Sequence, residues 1–267
     1  MKPGLVSLVG AGPGDPELLT LKAARRLQAC AALVYDALVP PAILNLAPPS
    51  ALRVFVGKRD RVHAMPQEKI NELLIELARQ GGPVVRLKGG DPYLFGRGSE
   101  EGEALARAEI PWEMVPGVSS ALAVPAYAGI PLTDRRASSM VTIVSGHECT
   151  GKTGAAVDWK GISPRGTLVV LMGLARLDAI CQGLLAAGWR RDTPAAILAS
   201  VGWPGEAVAS ATLEDLPRAA KRRVLPSPAI IVVGEVVGLR RWLCWRQTQQ
   251  GGKKHVERRE ARARAGR

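Results

Sequence analysis

Short apolar runs alternate with amphipathic stretches through the first half of the chain. The apolar runs predict five strands, at Leu5–Val9, Ala32–Tyr35, Arg53–Val56, Pro83–Leu87 and Trp112–Val115. Between them, apolar residues recur at helical spacing, most clearly in Pro16–Ala29 and Pro66–Gln80. This alternation of strand and helix predicts a largely parallel sheet that is covered by helices on both faces.

The second half of the chain has a different pattern. Strands are predicted at Met140–Val144, Thr167–Leu171, Ala195–Ala199, Ala207–Thr212 and Ala229–Val233, and a helix at Leu174–Ala187. The turn at Gly202–Gly205 favours an antiparallel pairing of the two strands beside it. We therefore expect an α/β protein, with an N-terminal domain over residues 1–134 around a largely parallel sheet and a C-terminal domain over residues 135–246 around a mixed sheet.

The positive charge is concentrated at the C-terminal end of the chain. Residues 240–267 hold ten Lys or Arg and two Glu, and so contribute +8 of the net charge of +12. From residue 247 onward no apolar residues recur periodically, so residues 247–267 are expected to form a basic, disordered tail. The remaining residues are only mildly basic, which suits a small anionic ligand better than a nucleic acid.

Composition also excludes several classes of site. No apolar run is long enough to cross a membrane, and the N-terminus lacks the pattern of a signal peptide. The four cysteines have no C-x-x-C spacing and the three histidines are scattered, so we expect no metal site. Reduced thiols in a cytoplasmic protein are the simplest interpretation.

Glycine and an ionisable or hydroxyl side chain follow several of the strands predicted in the first half. These segments are Gly10–Asp15 after the first strand, Lys88–Asp91 after the fourth and Pro116–Ser120 after the fifth. In an open parallel sheet, ligands bind beyond the C-terminal ends of the strands. A dinucleotide fingerprint needs glycine at position 15, where Asp15 stands, and no Gly-Lys-Ser/Thr precedes the helix. We therefore expect a ligand that is not held through phosphates.

These segments resemble the signatures of the tetrapyrrole methylase family. The matching segments are Val9–Pro16 with Leu18–Ala23, Val85–Pro92, Phe95–Gly98, Val115–Ser120 and Ala128–Thr133, and the likeness runs over residues 4–246. The resemblance implies two α/β domains with the active site in the cleft between them, and usually a homodimer. It further implies methyl transfer from S-adenosyl-L-methionine to C2 and C7 of uroporphyrinogen III. The products would be S-adenosyl-L-homocysteine and precorrin-2, on the route to sirohaem, cobalamin or haem d1.

The resemblance also implies roles for individual residues. Catalytic roles fall on Asp36, Lys58 and Arg97. Substrate binding falls on Glu100 and Arg135. Arg59, which follows Lys58 directly, adds a further positive charge for the substrate carboxylates. The residues implied for the cofactor are Pro13, Gly89, Gly90, Asp91, Leu94, Ser119, Ser120, Met172, Val201 and Ala229.

These residue types suit the implied chemistry. The porphyrinogen is a polycarboxylate, and arginine binds carboxylates through two parallel hydrogen bonds. Methylation of a pyrrole carbon leaves a cationic ring that must lose a proton, which an acid–base group can accelerate. Because guanidinium resists deprotonation, we expect Asp36 to be the base and Arg97 to anchor the substrate.

The chain departs from the family pattern at three places. Asp134 stands where the motif usually has His, Ser200–Gly202 where Gly-Thr is common, and Ser119-Ser120 in place of Thr-Ala. These changes leave open whether one or two methyl groups are transferred. Three alternatives also remain open, namely a sister methylase for a later corrin precursor, a 2′-O-methylase that holds ribosomal RNA with the basic tail, and a binding subunit without turnover.

Overall fold

The computed structural model describes residues 2–57, 65–147 and 157–246, and it divides into two compact units between Ser120 and Ala121. We call the part up to Ser120 unit 1 and the part from Ala121 unit 2. The sequence predicts the boundary at residue 134, so the segment from Ala121 to Asp134 is assigned to the second unit by the structure and to the first by the prediction. The expected tail at 247–267 lies outside the described residues.

Unit 1 is built on a parallel sheet of five strands. They are β1 (Val6–Gly10), β2 (Ala32–Tyr35), β3 (Leu52–Phe55), β4 (Val84–Lys88) and β5 (Trp112–Val115). Their order across the sheet is β3-β2-β4-β1-β5, and every neighbouring pair is parallel. Each strand lies within one residue of its predicted position, so the predicted parallel sheet is confirmed, with β4 at its centre.

Helices cover both faces of this sheet. They are α1 (Leu21–Gln28), α2 (Pro41–Leu44), α3 (Gln67–Arg79) and α4 (Gly98–Arg107). Successive residues of a strand point to opposite faces. Leu8 of β1 therefore packs in a core with Leu74 of α3 and Leu105 of α4, whereas its neighbour Val9 packs in another with Leu27 of α1. This burial on both faces explains why most residues of β1 and β2 are apolar.

The first predicted helix is wrong at its N-terminal end. Residues Pro16–Leu18 form a 3₁₀ turn, in which the Asp15 carboxylate accepts a hydrogen bond of 2.9 Å from the Glu17 amide. Thr20 then has extended backbone angles, and its hydroxyl accepts from the Ala23 amide at 3.2 Å. A threonine in this position caps a new helix, so α1 begins at Leu21. The second predicted helix agrees with α3 to within one residue at each end.

Unit 2 contains a mixed sheet of five strands, as predicted. They are β6 (Val141–Ser145), β7 (Thr167–Leu171), β8 (Pro194–Ala199), β9 (Ala207–Thr212) and β10 (Ala229–Val233). Their order is β6-β7-β10-β8-β9; β6 and β7 are parallel, and the other three pairs are antiparallel. The antiparallel pairing of β8 with β9 across the predicted turn is confirmed.

The helices of this half are α5 (Ser120–Tyr127), α6 (Leu177–Ala186), α7 (Leu216–Lys221) and α8 (Arg240–Leu243). The predicted helix at Leu174–Ala187 opens as a 3₁₀ turn over Leu174–Arg176 before α6 begins. Leu184 of α6 packs with Leu168, Ile197 and Ile231 of the sheet in one core. In the described ranges, no helix combines the length and apolar character needed to span a membrane.

Substitution of the α1 cap provides a test of the helix start. We expect Thr20→Ala to lower the free energy of unfolding by about 1 kcal/mol, because the Ala23 amide loses its acceptor. Thr20→Ser, which keeps the hydroxyl, should unfold close to wild type in urea. Equal destabilisation by both variants would show that the threonine methyl group, and not the cap, stabilises this segment.

One surface carboxylate joins three elements of unit 1. Glu113 of β5 accepts a hydrogen bond of 2.9 Å from Ser7 of β1 and forms ion pairs with Lys22, at 2.7 Å, and Arg26 of α1. The hydrogen bond from Arg26 is the largest cause that lowers the pKa of Glu113 to about 2; burial acts to raise this pKa, but the hydrogen bonds from Arg26, Lys22 and Ser7 together outweigh it. A carboxyl whose pKa is lowered by folding stabilises the protein above its ordinary pKa and loses that contribution as the pH falls towards the folded value.

This contribution predicts a pH dependence. At pH 7, Glu113→Gln should be less stable than the wild type, and the difference should narrow from about pH 4.5 downward as the wild-type carboxyl takes up its proton. Urea unfolding at several pH values between 7 and 3 measures the difference in the free energy of unfolding between the two proteins. A gap that stays constant over this range would show that the ion pairs contribute nothing and that only the shape of the side chain matters.

Candidate functional site

The C-terminal ends of all five strands of unit 1 lie at one edge of the sheet, because the strands are parallel. We call this the unit 1 edge. The segments after β1, β2, β4 and β5 carry Pro13, Asp36, Gly89–Asp91 and Ser119-Ser120, which are the residues that the sequence predicts for a ligand. The structure brings these predicted residues together at the unit 1 edge. The segment after β3, with Lys58 and Arg59, lies outside the described residues.

Glycines allow the main chains of three segments to touch at the unit 1 edge. Gly12 and Gly90 form an antiparallel bridge, in which the Gly90 amide donates to the Gly12 carbonyl at 2.7 Å. A Cβ atom at Gly117 would lie 2.3 Å from the Gly90 carbonyl oxygen, and one at Gly10 would lie 2.5 Å from the Gly117 nitrogen. Because such distances are far inside van der Waals contact, these positions require glycine.

Asp91 links two of these segments by hydrogen bonds to the main chain. Its Oδ1 accepts from the Tyr93 amide at 2.8 Å and its Oδ2 from the Gly117 amide at 3.1 Å. The segment after β4 is therefore tied to the segment after β5. The sequence predicts Asp91 as a ligand contact, and the structure adds a positioning role for this carboxylate.

Asp36 belongs to a network of charged groups behind the unit 1 edge. Its Oδ1 lies 2.7 Å from Arg86 Nη2, and Arg86 Nε donates at 3.0 Å to Oε1 of Glu101. The same Glu101 oxygen accepts from Lys88 Nζ at 2.8 Å and from Gln67 Nε2 at 3.2 Å. We call Asp36, Arg86, Lys88, Glu101 and Gln67 the buried network. Its two cations and two carboxylates balance in charge.

Burial and charge act on the cations of the buried network in opposite directions. Burial is the largest influence on the pKa of Lys88 and lowers it, with the Arg86 charge adding to the effect. Burial also acts to lower the pKa of Arg86, but the carboxylates of Asp36 and Glu101 together outweigh it and raise that pKa. Arg86 therefore stays fully charged between the two carboxylates, whereas burial disfavours the charged form of Lys88.

The segment after β4 continues into an exposed ion pair. Arg97 Nε and Nη2 contact Glu100 Oε1 and Oε2 at 2.9 and 2.7 Å, so two of the predicted substrate residues bind each other. Phe95 and Arg97 both have left-handed backbone angles, with φ of 55° and 58°. Such angles are strained for residues other than glycine and are often found at functional sites. Leu94, predicted for the cofactor, lies in the same segment.

The predicted residues of unit 2 also gather at one edge of their sheet. Strands β6, β7 and β8 run in the same direction, because β7 and β8 both pair antiparallel with β10. Met172 directly follows β7, Val201 lies shortly after β8, and Ala229 begins β10, so all three are at the same edge. Met172 and Ser200 have left-handed backbone angles, with φ of 56° and 47°. These strained turns mark that edge as a candidate site.

Arg135 is exposed and lies in a tight turn of unit 2. The turn is closed by the Asp134 amide, which donates to the Ser138 carbonyl at 3.0 Å. The side chain of Arg136 pairs with Asp134 and is the main cause of a pKa of about 2 for that carboxyl. Arg135, Arg136 and Arg165 line an open depression of about 390 Å³. The positive charge of this surface suits the anionic substrate for which Arg135 was predicted.

Sequence reasoning missed most of the buried network. Arg86 and Lys88 alternate with apolar residues in β4. Two cations on one face of a strand that is buried on both faces indicate buried carboxylate partners, and this pattern is visible in the sequence. Glu101 had no such signal, since it follows another glutamate directly. The structure separates the pair, because Glu100 is exposed beside Arg97 whereas Glu101 is fully buried. In the described ranges, no cluster of three or more His, Cys, Asp or Glu could hold a metal ion.

Comparison with known proteins shows which family the chain belongs to. The family model for tetrapyrrole (corrin/porphyrin) methylases matches residues 5–217. The S-adenosyl-L-methionine-dependent uroporphyrinogen III methyltransferase of Methanosarcina barkeri is 48% identical over 237 residues, which cover 88% of this chain and 93% of that protein. The siroheme synthase of Ectopseudomonas mendocina is 48% identical over 93% of this chain, and the match covers 54% of the synthase. The chain thus spans about half the length of that relative.

A solved structure gives the same result. The uroporphyrin-III C-methyltransferase of Thermus thermophilus, crystallised with S-adenosyl homocysteine, has a TM-score of 0.76 and 42% identity, over 88% of this chain and all of that one. The α/β fold class predicted from the sequence is confirmed. With the family model matching most of its length, the chain belongs to the tetrapyrrole methylase family.

Proposed function

We propose that the chain methylates C2 and C7 of uroporphyrinogen III with S-adenosyl-L-methionine and so forms precorrin-2 for the sirohaem route. The observation that carries the proposal is the glycine-built unit 1 edge with Asp36 beside it, in a chain 48% identical to a uroporphyrinogen III methyltransferase of nearly the same extent. The route is supported by the similarity to siroheme synthases.

The donor fits the chemistry of the unit 1 edge. When bound, S-adenosyl-L-methionine supplies an electrophilic methyl group on a sulfonium, and its methionine part carries an ammonium and a carboxylate. Main-chain carbonyl and amide groups can bind these two charges, and at this edge the glycines leave the main chain accessible. Gly89, Gly90, Ser119, Ser120 and the nearby residues Pro13 and Leu94 would hold the donor, with Asp91 fixing their relative position.

The family resemblance also implies donor contacts in unit 2, namely Met172, Val201 and Ala229, which lie at one edge of its own sheet. The segment Ser200–Trp203, which stands where Gly-Thr is more usual, falls at the same edge. We propose that these residues contact the donor through their apolar side chains.

The acceptor would be bound by cations and deprotonated by Asp36. Arg97 and Arg135 anchor substrate carboxylates, and Lys58 and Arg59 add positive charge. Glu100 orients the Arg97 guanidinium through two hydrogen bonds until the substrate binds. After the new carbon–carbon bond forms, the methylated carbon is quaternary and the ring is cationic, so the proton is lost from a ring nitrogen or a neighbouring bridge carbon. Asp36 is partly exposed at the unit 1 edge and accepts that proton.

The protein works as a homodimer in the cytoplasm, an inference supported by the family resemblance.

Substitution of the base tests the mechanism. Asp36→Asn should lower the rate of methyl transfer about 10²–10⁴-fold, the usual contribution of a general base. The affinity for S-adenosyl-L-homocysteine should stay within twofold of wild type, because Asp36 does not bind the donor. Labelled methyl transfer to fresh uroporphyrinogen III and the mass of the product measure the rate and the number of methyl groups.

The matched control for this experiment is Asp192→Asn, which changes an exposed aspartate that precedes β8, at the end of this strand opposite to Val201. Full turnover by Asp36→Asn would contradict the assigned role of Asp36. Methyl transfer by the wild type only to a later corrin precursor, only to ribosomal RNA, or to none of these acceptors would contradict the proposed function itself.

Substitution of an edge glycine tests the donor site. Gly117→Ala would place a methyl group 2.3 Å from the Gly90 carbonyl oxygen, so the segments after β4 and β5 must move apart. We expect calorimetry to show at least a tenfold loss of affinity for S-adenosyl-L-homocysteine. Gly238→Ala is the control, because a Cβ atom there meets nothing within 4 Å. Unchanged affinity in a folded Gly117→Ala variant would place the donor elsewhere.

A further inference from the structure

The buried network contains a carboxylate to which neither the sequence motifs nor the comparisons give a role. We propose that Glu101 is a positioning residue for Asp36, and that it acts through the guanidinium of Arg86, which both carboxylates share. The inference rests on the proposed function, because it presupposes that Asp36 accepts a proton from the methylated ring.

The geometry of Arg86 makes the coupling direct. Its Nε bonds to Glu101 Oε1 at 3.0 Å and its Nη2 to Asp36 Oδ1 at 2.7 Å, and its side chain is 2% exposed. A guanidinium is planar and rigid, so fixing the direction of one N–H bond fixes the others. Glu101 therefore determines where Arg86 points, and Arg86 determines where the Asp36 carboxylate lies.

Glu101 is itself held by three donors from two elements. Its Oε1 accepts from Lys88 of β4, Gln67 of α3 and Arg86, while Glu101 belongs to the first turn of α4. Its Oε2 is buried and has no hydrogen-bonding partner among the described residues. All three donors thus converge on the one oxygen that accepts from Arg86, so Lys88 and Gln67 fix the position of the acceptor that orients the guanidinium.

Stability does not explain this arrangement. The apolar core beside it, with Leu74 and Leu105, shows that unit 1 buries hydrophobic side chains well here. Apolar residues of similar volume in place of buried ion pairs are often neutral or stabilising. The side chains of Arg86, Lys88 and Glu101 are at most 5% exposed, whereas that of Asp36 is 28% exposed at the strand ends. Among the four charged groups of the buried network, Asp36 is the most accessible to a ligand.

The decisive variant is Glu101→Gln. Glutamine has the same size, but its neutral amide oxygen binds the guanidinium more weakly than a carboxylate oxygen does, so Arg86 is held less firmly while the volume of the side chain is retained. We expect kcat to fall about 10- to 100-fold, the range expected for a misplaced catalytic group. The KM for uroporphyrinogen III and the Kd for S-adenosyl-L-homocysteine should stay within twofold of wild type.

The matched control is Glu103→Gln on the same helix, where the side chain is exposed and pairs with Arg107. It should retain wild-type kcat. A Glu101→Gln variant with wild-type kcat would overturn the inference. So would a loss of donor affinity as large as the loss of kcat, because that result indicates a general distortion of the unit 1 edge.

A double-mutant cycle tests the route through Asp36. If Glu101 acts through Asp36, adding Glu101→Gln to Asp36→Asn should lower kcat by less than twofold further. Multiplication of the two losses would show that Glu101 acts independently and would overturn the inference. If Asp36→Asn leaves no measurable rate, Glu101→Gln alone tests the inference. A lower kcat with unchanged donor affinity supports it, and any other result overturns it.

A second variant covers the case in which Glu101→Gln does not fold. Arg86→Lys keeps a buried cation, but one ammonium cannot hold both carboxylates in the observed geometry. It should show the same loss of kcat with unchanged donor affinity, and wild-type kcat in this variant would overturn the inference. Failure of the wild type to methylate uroporphyrinogen III would refute the proposed function, whereas active wild type with independent losses would refute the role of Glu101.

Discussion

The parallel pairing of β4 with β1 on one side and β2 on the other is the interaction on which the candidate site depends. The register places Gly10 beside Lys88 and Tyr35 beside Leu87, so the chain leaves the sheet at the same level in all three strands. Segments that are distant in sequence thereby begin within hydrogen-bonding distance of one another. The contacts between Gly12 and Gly90 follow from this register and do not need any side chain to draw the segments together.

Both units use two kinds of residue at their strand ends. Glycines let main chains touch, as at Gly117 of unit 1 and Gly146 of unit 2. Other residues are held in left-handed conformations, as are Arg97 of unit 1 and Met172 of unit 2. Glycine makes close approach cheap, whereas a strained residue keeps a side chain at the turn and must be held by its surroundings. The first arrangement suits binding by main chain, and the second suits contact by a side chain in a fixed place.

Charge is buried where the sheet would tolerate apolar residues. Arg86 and Lys88 occupy one face of the central strand, and their carboxylate partners come from other elements, Asp36 after β2 and Glu101 from α4. Arg86, Lys88 and Glu101 lose their hydration, and this burial is tolerated because the charges of the network balance and the donors have acceptors. Such an arrangement makes the position of Asp36 depend on four elements at once, which is a stricter constraint than the loop after β2 could impose alone.

The sequence by itself determined the strands, because strands packed in a core are rich in apolar residues, and it contains the glycines and the family motifs that point to the unit 1 edge. It did not determine the break before α1, since the apolar stripe of Pro16–Ala29 fits one helix equally well and only the backbone turn at Thr20 divides it. Tertiary structure alone decided which glutamate is buried, because Glu100 and Glu101 have the same chemistry and differ only in the direction that α4 gives them. The sequence shows which residues carry a charge, whereas the partner, the burial and therefore the role of each charged residue depend on the residues that folding brings next to it.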